Sequence, residues 1–252
     1  MAIRSPLLCA LILVLAGCAD GPRPGGPDAA ALRAQLGSAD VISASLLVQF
    51  TPATGEGELF TLRLWRTGDG AVRLRAQKLD VDFLDALVRP DGGYEAVLPR
   101  ERVATTGQLG SPDDPPLLSD LRLLLSDLRD GPLPRTAVPT GETRRLAWND
   151  GDWTAELDLA ADGLPSAKRL SAGGMVQREV TYARWQSYEG LTRPSQVRLR
   201  MPGDDGVTAI RLKSLDTPPV ISPERMALRV PEGIERVAPA EFSRRMLGPA
   251  PE

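Results

Sequence analysis

Apolar and polar residues alternate one by one along most of this chain, and that period limits what it can fold into. Ala44, Leu46, Val48 and Phe50 alternate with Ser45, Leu47 and Gln49. Phe60, Leu62 and Leu64 alternate with Thr61, Arg63 and Trp65, and Val72, Leu74 and Ala76 with Arg73 and Arg75. A period of two sends successive side chains to opposite faces of a strand. One face is then dry and the other wet. That is the pattern of an antiparallel sheet packed on one side, not of a parallel sheet buried on both. Thr67-Gly68-Asp69-Gly70 supplies a hairpin-type turn between two of the runs.

The second half repeats the pattern. Arg145–Trp148 and Trp153–Leu159 flank the turn Asn149-Asp150-Gly151-Asp152, and Asp162-Gly163 turns the chain again. Val176, Val180 and Tyr182 face away from Gln177, Glu179 and Thr181. Val197, Leu199 and Met201 alternate with Gln196, Arg198 and Arg200, and residues 202–206 turn into Val207–Leu215. In between, Val81–Val88 fits a strand or a short helix, and Tyr94–Leu98 a strand. Thr105–Pro116 reads as an exposed loop, and Pro218–Pro231 as irregular.

Two segments have helical spacing instead. Asp28 is positioned as an N-cap for a helix carrying Leu32 and Leu36, which Gly37 ends. Leu117, Leu121, Leu124, Leu125 and Leu128 form one stripe, with Leu118 beside it. Ser119, Arg122, Ser126, Asp127 and Arg129 lie largely off the stripe, and Gly131-Pro132 stops the helix. The expectation is a mainly β (α+β) domain of about 9–11 strands with two helices. No composition break divides residues 28–252 into two domains.

The two cysteines, Cys9 and Cys18, both lie near the N-terminus, and there is no histidine. A Ser–His relay is therefore impossible, and the commonest metal ligand is missing. Asp80, Asp82 and Asp85 read as a solvated strand edge, and Asp150-Gly151-Asp152 lacks a calcium-loop pattern. The four tryptophans, Trp65, Trp148, Trp153 and Trp185, read as packed at sheet edges or in the core. The reading is of a non-enzyme with no metal and no cofactor. A net charge of −3 with both signs mixed argues against nucleic acid as a partner.

Arg4, the apolar run Leu7–Leu15 and the small residues before Cys18 form a secretory signal, too short to span a bilayer. Leu15-Ala16-Gly17-Cys18 resembles the lipobox of bacterial lipoprotein precursors. That resemblance implies a signal peptide at residues 1–17, an acylated Cys18, and a Gly/Pro-rich tether to residue 27. Ala19 after the cysteine resembles the outer-membrane sorting class, hence a lipid-anchored envelope protein facing the periplasm.

Tyr188-Glu189-Gly190-Leu191-Thr192-Arg193-Pro194-Ser195-Gln196-Val197-Arg198-Leu199 resembles a segment of the bacterial lipoprotein carrier and receptor (LolA/LolB-like) superfamily. Ile221–Gly233 is similar to that family's closing segment, with Met226 where Phe is frequent. The resemblance implies a strongly curved, unclosed half-barrel wrapped on helices, with an acyl-chain cavity between them. Leu62, Leu64, Leu74 and Leu157 would then line the concave face. Leu121, Leu124, Leu125 and Leu128 would cap it from the mid-chain helix. The implied partners are a membrane through the anchor, and acyl chains or another lipoprotein. The family's cavities are aromatic-rich, whereas this chain has four Phe, four Trp and three Tyr. Nor does the sequence identify the arginine that latches the soluble carriers. The alternative is a structural or interaction lipoprotein whose interior its own side chains fill.

Overall fold

The computed structural model describes residues 28–51, 57–109, 118, 124, 126–134, 137–140, 144–150, 153–201 and 206–247. Cys18, the tether, Leu121 and Leu125 lie outside the described residues.

The chain opens with helix α1 (Ala29–Leu36). Asp28 caps it, accepting from the backbone N–H of Ala30 and Ala31, and Gly37 closes it at φ 68°. A meander follows: β1 (Ile42–Thr51), β2 (Glu58–Arg66), β3 (Val72–Lys78), β4 (Val81–Val88), β5 (Gly93–Leu98) and β6 (Val103–Gln108). Helix α2, with described helical residues 118, 124 and 126–130, then crosses to a second meander. That comprises β7 (Val138–Pro139), β8 (Arg145–Asp150), β9 (Trp153–Leu159), β10 (Pro165–Ala172), β11 (Met175–Tyr188), β12 (Leu191–Arg200) and β13 (Val207–Asp216). The tail holds α3 (Pro223–Met226), β14 (Glu235–Arg236) and α4 (Pro239–Leu247).

All fourteen strands form one sheet, in the order β14-β6-β5-β4-β3-β2-β1-β13-β12-β11-β10-β9-β8-β7. It is curved and unclosed. Antiparallel pairing of β1 with β13 joins the two meanders into one surface. Among the described residues, β14 alone pairs in parallel, against β6.

The expected fold class holds, but the strand count rises from 9–11 to fourteen. β7 and β14 are two-residue strands that periodicity cannot register. β6 occupies the start of the expected loop, because Val103, Ala104 and Thr105 are buried against β5. β10 lacks an apolar alternation because Lys168 takes one of its inward positions. Val81–Val88 is a strand. Asp82 and Asp85 are not a solvated edge: Arg75 and Arg73 bond them across the β3–β4 ladder, and Asp85 is buried.

Two apolar clusters fill the inner face. The first spans β1–β6 and takes in Leu118, Leu124 and Leu128 of α2, together with Leu191, Leu212 and Leu215. The second combines Leu32 and Leu36 of α1 with Leu133, Leu146, Leu157, Leu159, Val180, Tyr182, Val197 and Leu199. The tail adds two short helices, α3 and α4, to the two expected ones. It passes over the outer face, where the Arg225 carbonyl accepts from Arg73 (2.9 Å). It then covers the β6 edge with β14, and α4 returns Phe242, fully buried, to the first cluster.

Candidate functional site

The site is the seam between α2 and the inner face of the first meander. Strand register builds that face in rows. Ala44, Leu64, Leu74, Ala86 and Ala96 stand opposite one another across β1 to β5, and Leu46, Leu62, Ala76 and Leu84 form the next row. Leu118, Leu124 and Leu128 of α2 pack into the same cluster. Of the residues expected to line an acyl site, Leu62, Leu64, Leu74, Leu124 and Leu128 share the first cluster. Leu157 lies in the second cluster, beneath α1.

Along the described C-terminal part of α2 the seam is closed. Between Leu124 and Leu128 above and Leu46 and Leu212 below, a void of about 10 Å³ remains. That is about the space one water centre needs. At the end carrying the β2–β3 and β4–β5 turns the seam opens into a cleft of about 380 Å³. Val72, Leu74, Val88 and Leu118 form its apolar wall, and Arg89, Asp91 and Gln108 stand at its polar lip.

The opposite end of α2 is held by charge. Arg193 of β12 is fully buried and aims its guanidinium at two helix C-termini. Its Nε donates to the Leu128 carbonyl (2.8 Å) and Nη2 to those of Arg129 (2.7 Å) and Gly37 (3.0 Å). Nη1 donates to the carbonyls of Leu36 (2.5 Å) and Thr192 (2.8 Å). A helix leaves its last carbonyls unpaired and carries partial negative charge there, so one cation serves both α1 and α2. Burial lowers the guanidinium to about 10, with Asp130 and Asp127 opposing the shift. Gly131, at φ 75°, lets α2 end against Leu36, whose Cδ1 a Cβ would meet at 2.8 Å.

One turn away, Asp127 enters the interior instead of lying off the leucine stripe as the spacing suggests. It is buried, accepts from Lys168 Nζ of β10 (2.5 Å) and from the Tyr182 hydroxyl of β11 (2.7 Å). Burial, with the Asp127 charge beside it, pushes the Tyr182 hydroxyl well above the usual phenol range. This is a structural ion pair with both partners satisfied, not an exposed acid–base couple.

Arg193, Lys168 and Asp127 were not singled out from sequence as site residues. The available signal was phase: Arg193 occupies the same face as Leu191, Val197 and Leu199 in an alternating strand. Trp148 and Trp185 pack on the second cluster as expected, and Trp65 is half-buried, but Trp153 is exposed. Among the described residues, no group of three or more carboxylate, histidine or cysteine side chains is placed to hold a metal ion.

No family model and no curated protein matches the sequence. Solved structures do match the fold. A DUF1329 family protein from Desulfovibrio piger superposes with a TM-score of 0.57 at 14% identity, covering 79% of this chain and 95% of that one. A LolA superfamily protein from Nitrosomonas europaea gives 0.51 at 10%, covering 79% and 94%. A putative outer membrane lipoprotein-sorting protein domain from Vibrio parahaemolyticus gives 0.52 at 12%, also covering 79% and 94%. The resemblance read from sequence is met at the level of fold.

Proposed function

We propose that this chain is a non-catalytic, lipid-anchored protein of the bacterial envelope that takes an alkyl chain between the inner sheet face and α2. The cleft of about 380 Å³ carries this reading, because its apolar wall continues inward as the rows of the first cluster. An alkyl chain entering there exchanges water for Leu74 and Leu118, gaining about 0.8 kcal/mol per methylene buried. The lipobox-like Cys18 supplies the anchor and the tether supplies reach. The fold shared with a lipoprotein-sorting domain supports a lipoprotein-related role in the envelope. Ala19 after the cysteine favours the outer membrane. No described helix is long and apolar enough to cross a membrane.

A fluorescent fatty-acyl probe titrated into delipidated protein tests the reading. Saturable uptake at one probe per chain is expected, blocked by Leu74→Trp, which fills the cleft. Absence of uptake at probe concentrations up to the micellar limit sinks it. The void of about 10 Å³ under Leu124 and Leu128 favours a second reading, an interaction lipoprotein with a filled interior. That reading predicts no uptake and a stoichiometric protein partner in pull-downs from membranes.

A further inference from the structure

The outer face of the sheet divides its charges unevenly. On the flanking strands the ladder pairs cations with carboxylates: Arg73 with Asp85, Arg75 with Asp82, and Arg145 and Arg169 with Asp158. On the four central strands, β2, β1, β13 and β12, the one such pair among the described residues is Glu58 of β2 with Lys78 of β3. Arg63, Arg198, Arg200, Arg211 and Lys213 are all exposed there, and none has an ion-pair partner among the described residues. Arg211 stands opposite Leu47 and Gln196, and Arg198 opposite Ala209 and Thr181. Arg63 lies between Ser45 and Arg75, which Asp82 pairs, and Arg200 between Val207 and Glu179, which pairs with Arg169. Arg198 and Arg211 are diagonal neighbours, about 7–8 Å apart at Cα.

Both of these arginines line a shallow groove of about 260 Å³ with Leu47 and Leu59, and Leu59 is 53% exposed. Half-buried Trp65 lies two residues beyond Arg63 on the same face of β2. The tail that shields the outer face of β3 through Arg225 is bonded to none of these five cations. A chain of net charge −3 thus carries a cationic strip with apolar and aromatic side chains interleaved.

We propose that this strip is a docking surface for anionic lipid headgroups at a bilayer surface. Cations reach the phosphates while Leu59, Leu47 and Trp65 meet the interfacial region, the combination that distinguishes a membrane contact from a purely ionic one. The proposal does not depend on alkyl-chain uptake, and the same protein can fail one test and pass the other.

Co-sedimentation of the chain carrying Cys18→Ala, which cannot be acylated there, with vesicles tests it, comparing phosphatidylcholine alone with phosphatidylcholine containing phosphatidylglycerol. Each cation near an anionic surface is worth about fivefold in binding, so Arg198→Gln/Arg211→Gln should lose roughly 25-fold on the anionic vesicles. The control Arg100→Gln/Arg229→Gln removes two exposed cations from elsewhere and should lose little. Wild-type binding should fall as salt is raised, and Trp65 fluorescence should shift to the blue on binding. Melting curves establish that both variants are folded. Equal binding to the two vesicle types, or equal losses in the two variants, overturns the proposal. So does binding of a polyglutamate peptide without binding of anionic vesicles, which would assign the strip to an acidic protein segment.

Discussion

Replacing Arg193 by methionine keeps the aliphatic stem and removes all five donors. The five carbonyls left behind end α1 and α2 or belong to Thr192. Hydrogen bonds to a charged group, at about 1.5 kcal/mol each, sum to roughly 7 kcal/mol. Burial opposes this: dragging the guanidinium down to about 10 costs about 3 kcal/mol. The expected loss is therefore about 4 kcal/mol, a large share of the 5–15 kcal/mol typical of a folded domain. Urea unfolding followed by tryptophan fluorescence measures it. Arg193→Lys should recover only part, because an ammonium offers three donors and no planar fork. Hydrogen exchange should accelerate at residues 37–39, 131 and 133, where the two helix ends meet. A loss under about 1 kcal/mol, or full recovery by lysine, would refute the reasoning, since either would show that the fork geometry contributes little.

Lys168→Met leaves Asp127 buried without its cation and should cost about 3–5 kcal/mol, while Lys168→Met/Asp127→Asn should recover more than half in the same urea assay. Gly37→Ala should destabilise more than Gly131→Ala. Both sit at positive φ, but a Cβ on Gly37 meets the Gly190 carbonyl oxygen at 2.9 Å, which is backbone and cannot yield, whereas the obstacle at Gly131 is the Leu36 side chain; melting temperatures rank the two. Asp158 gives a pH prediction: burial alone would raise its carboxyl, yet Arg145 and Arg169 together hold it below the usual carboxylate range. Its folded pKa is then lower than its unfolded one, so the stability is present above about pH 4 and lost as pH falls further. Asp158→Asn should accordingly flatten stability against pH in that acid window.

Period two made most of the sheet readable. β1, β2 and β3 alternate because their inner positions hold only apolar groups while their outer ones hold mostly Ser, Thr, Arg and Gln, with Leu47, Leu59 and Trp65 as apolar exceptions. The turn at Thr67–Ala71 was equally plain, since Asp69 and Gly70 satisfy it locally. β10 and β6 were not readable, for one shared reason: an inward position holds a residue whose suitability depends on a distant partner. Lys168 is tolerable inside only because Asp127 arrives from 41 residues earlier in the chain. Gly107 belongs in β6 because the Tyr94 ring of β5 lies across it, where any Cβ would collide. Arg193 is the same case at the candidate site, a cation whose acceptors are backbone carbonyls and so leave no mark in the sequence. The tail was opaque because its role is to cover an edge and an outer face, which needs no period of its own.

The positions of these buried charges bear on how α2 could admit a ligand. Asp127 with Lys168 and Tyr182, and the carbonyls of Leu128 and Arg129 with Arg193, all lie within the last described turn of the helix. Moving that turn away from the sheet breaks a buried ion pair and three hydrogen bonds together. At the other end, the described contact is Leu118 at the edge of the cleft, and it is held by dispersion and apolar burial alone. Burying that one leucine is worth about 1.5–3 kcal/mol, less than the described contacts of the pinned turn must lose in order to move. The described contacts therefore favour a swing about the C-terminal turn, with Leu118 departing before Leu128. A cysteine crosslink between positions 118 and 74 should abolish acyl uptake, whereas one between positions 128 and 212 should leave it intact. If the second crosslink blocks uptake as fully as the first, α2 moves as a whole and the clasp is not its pivot.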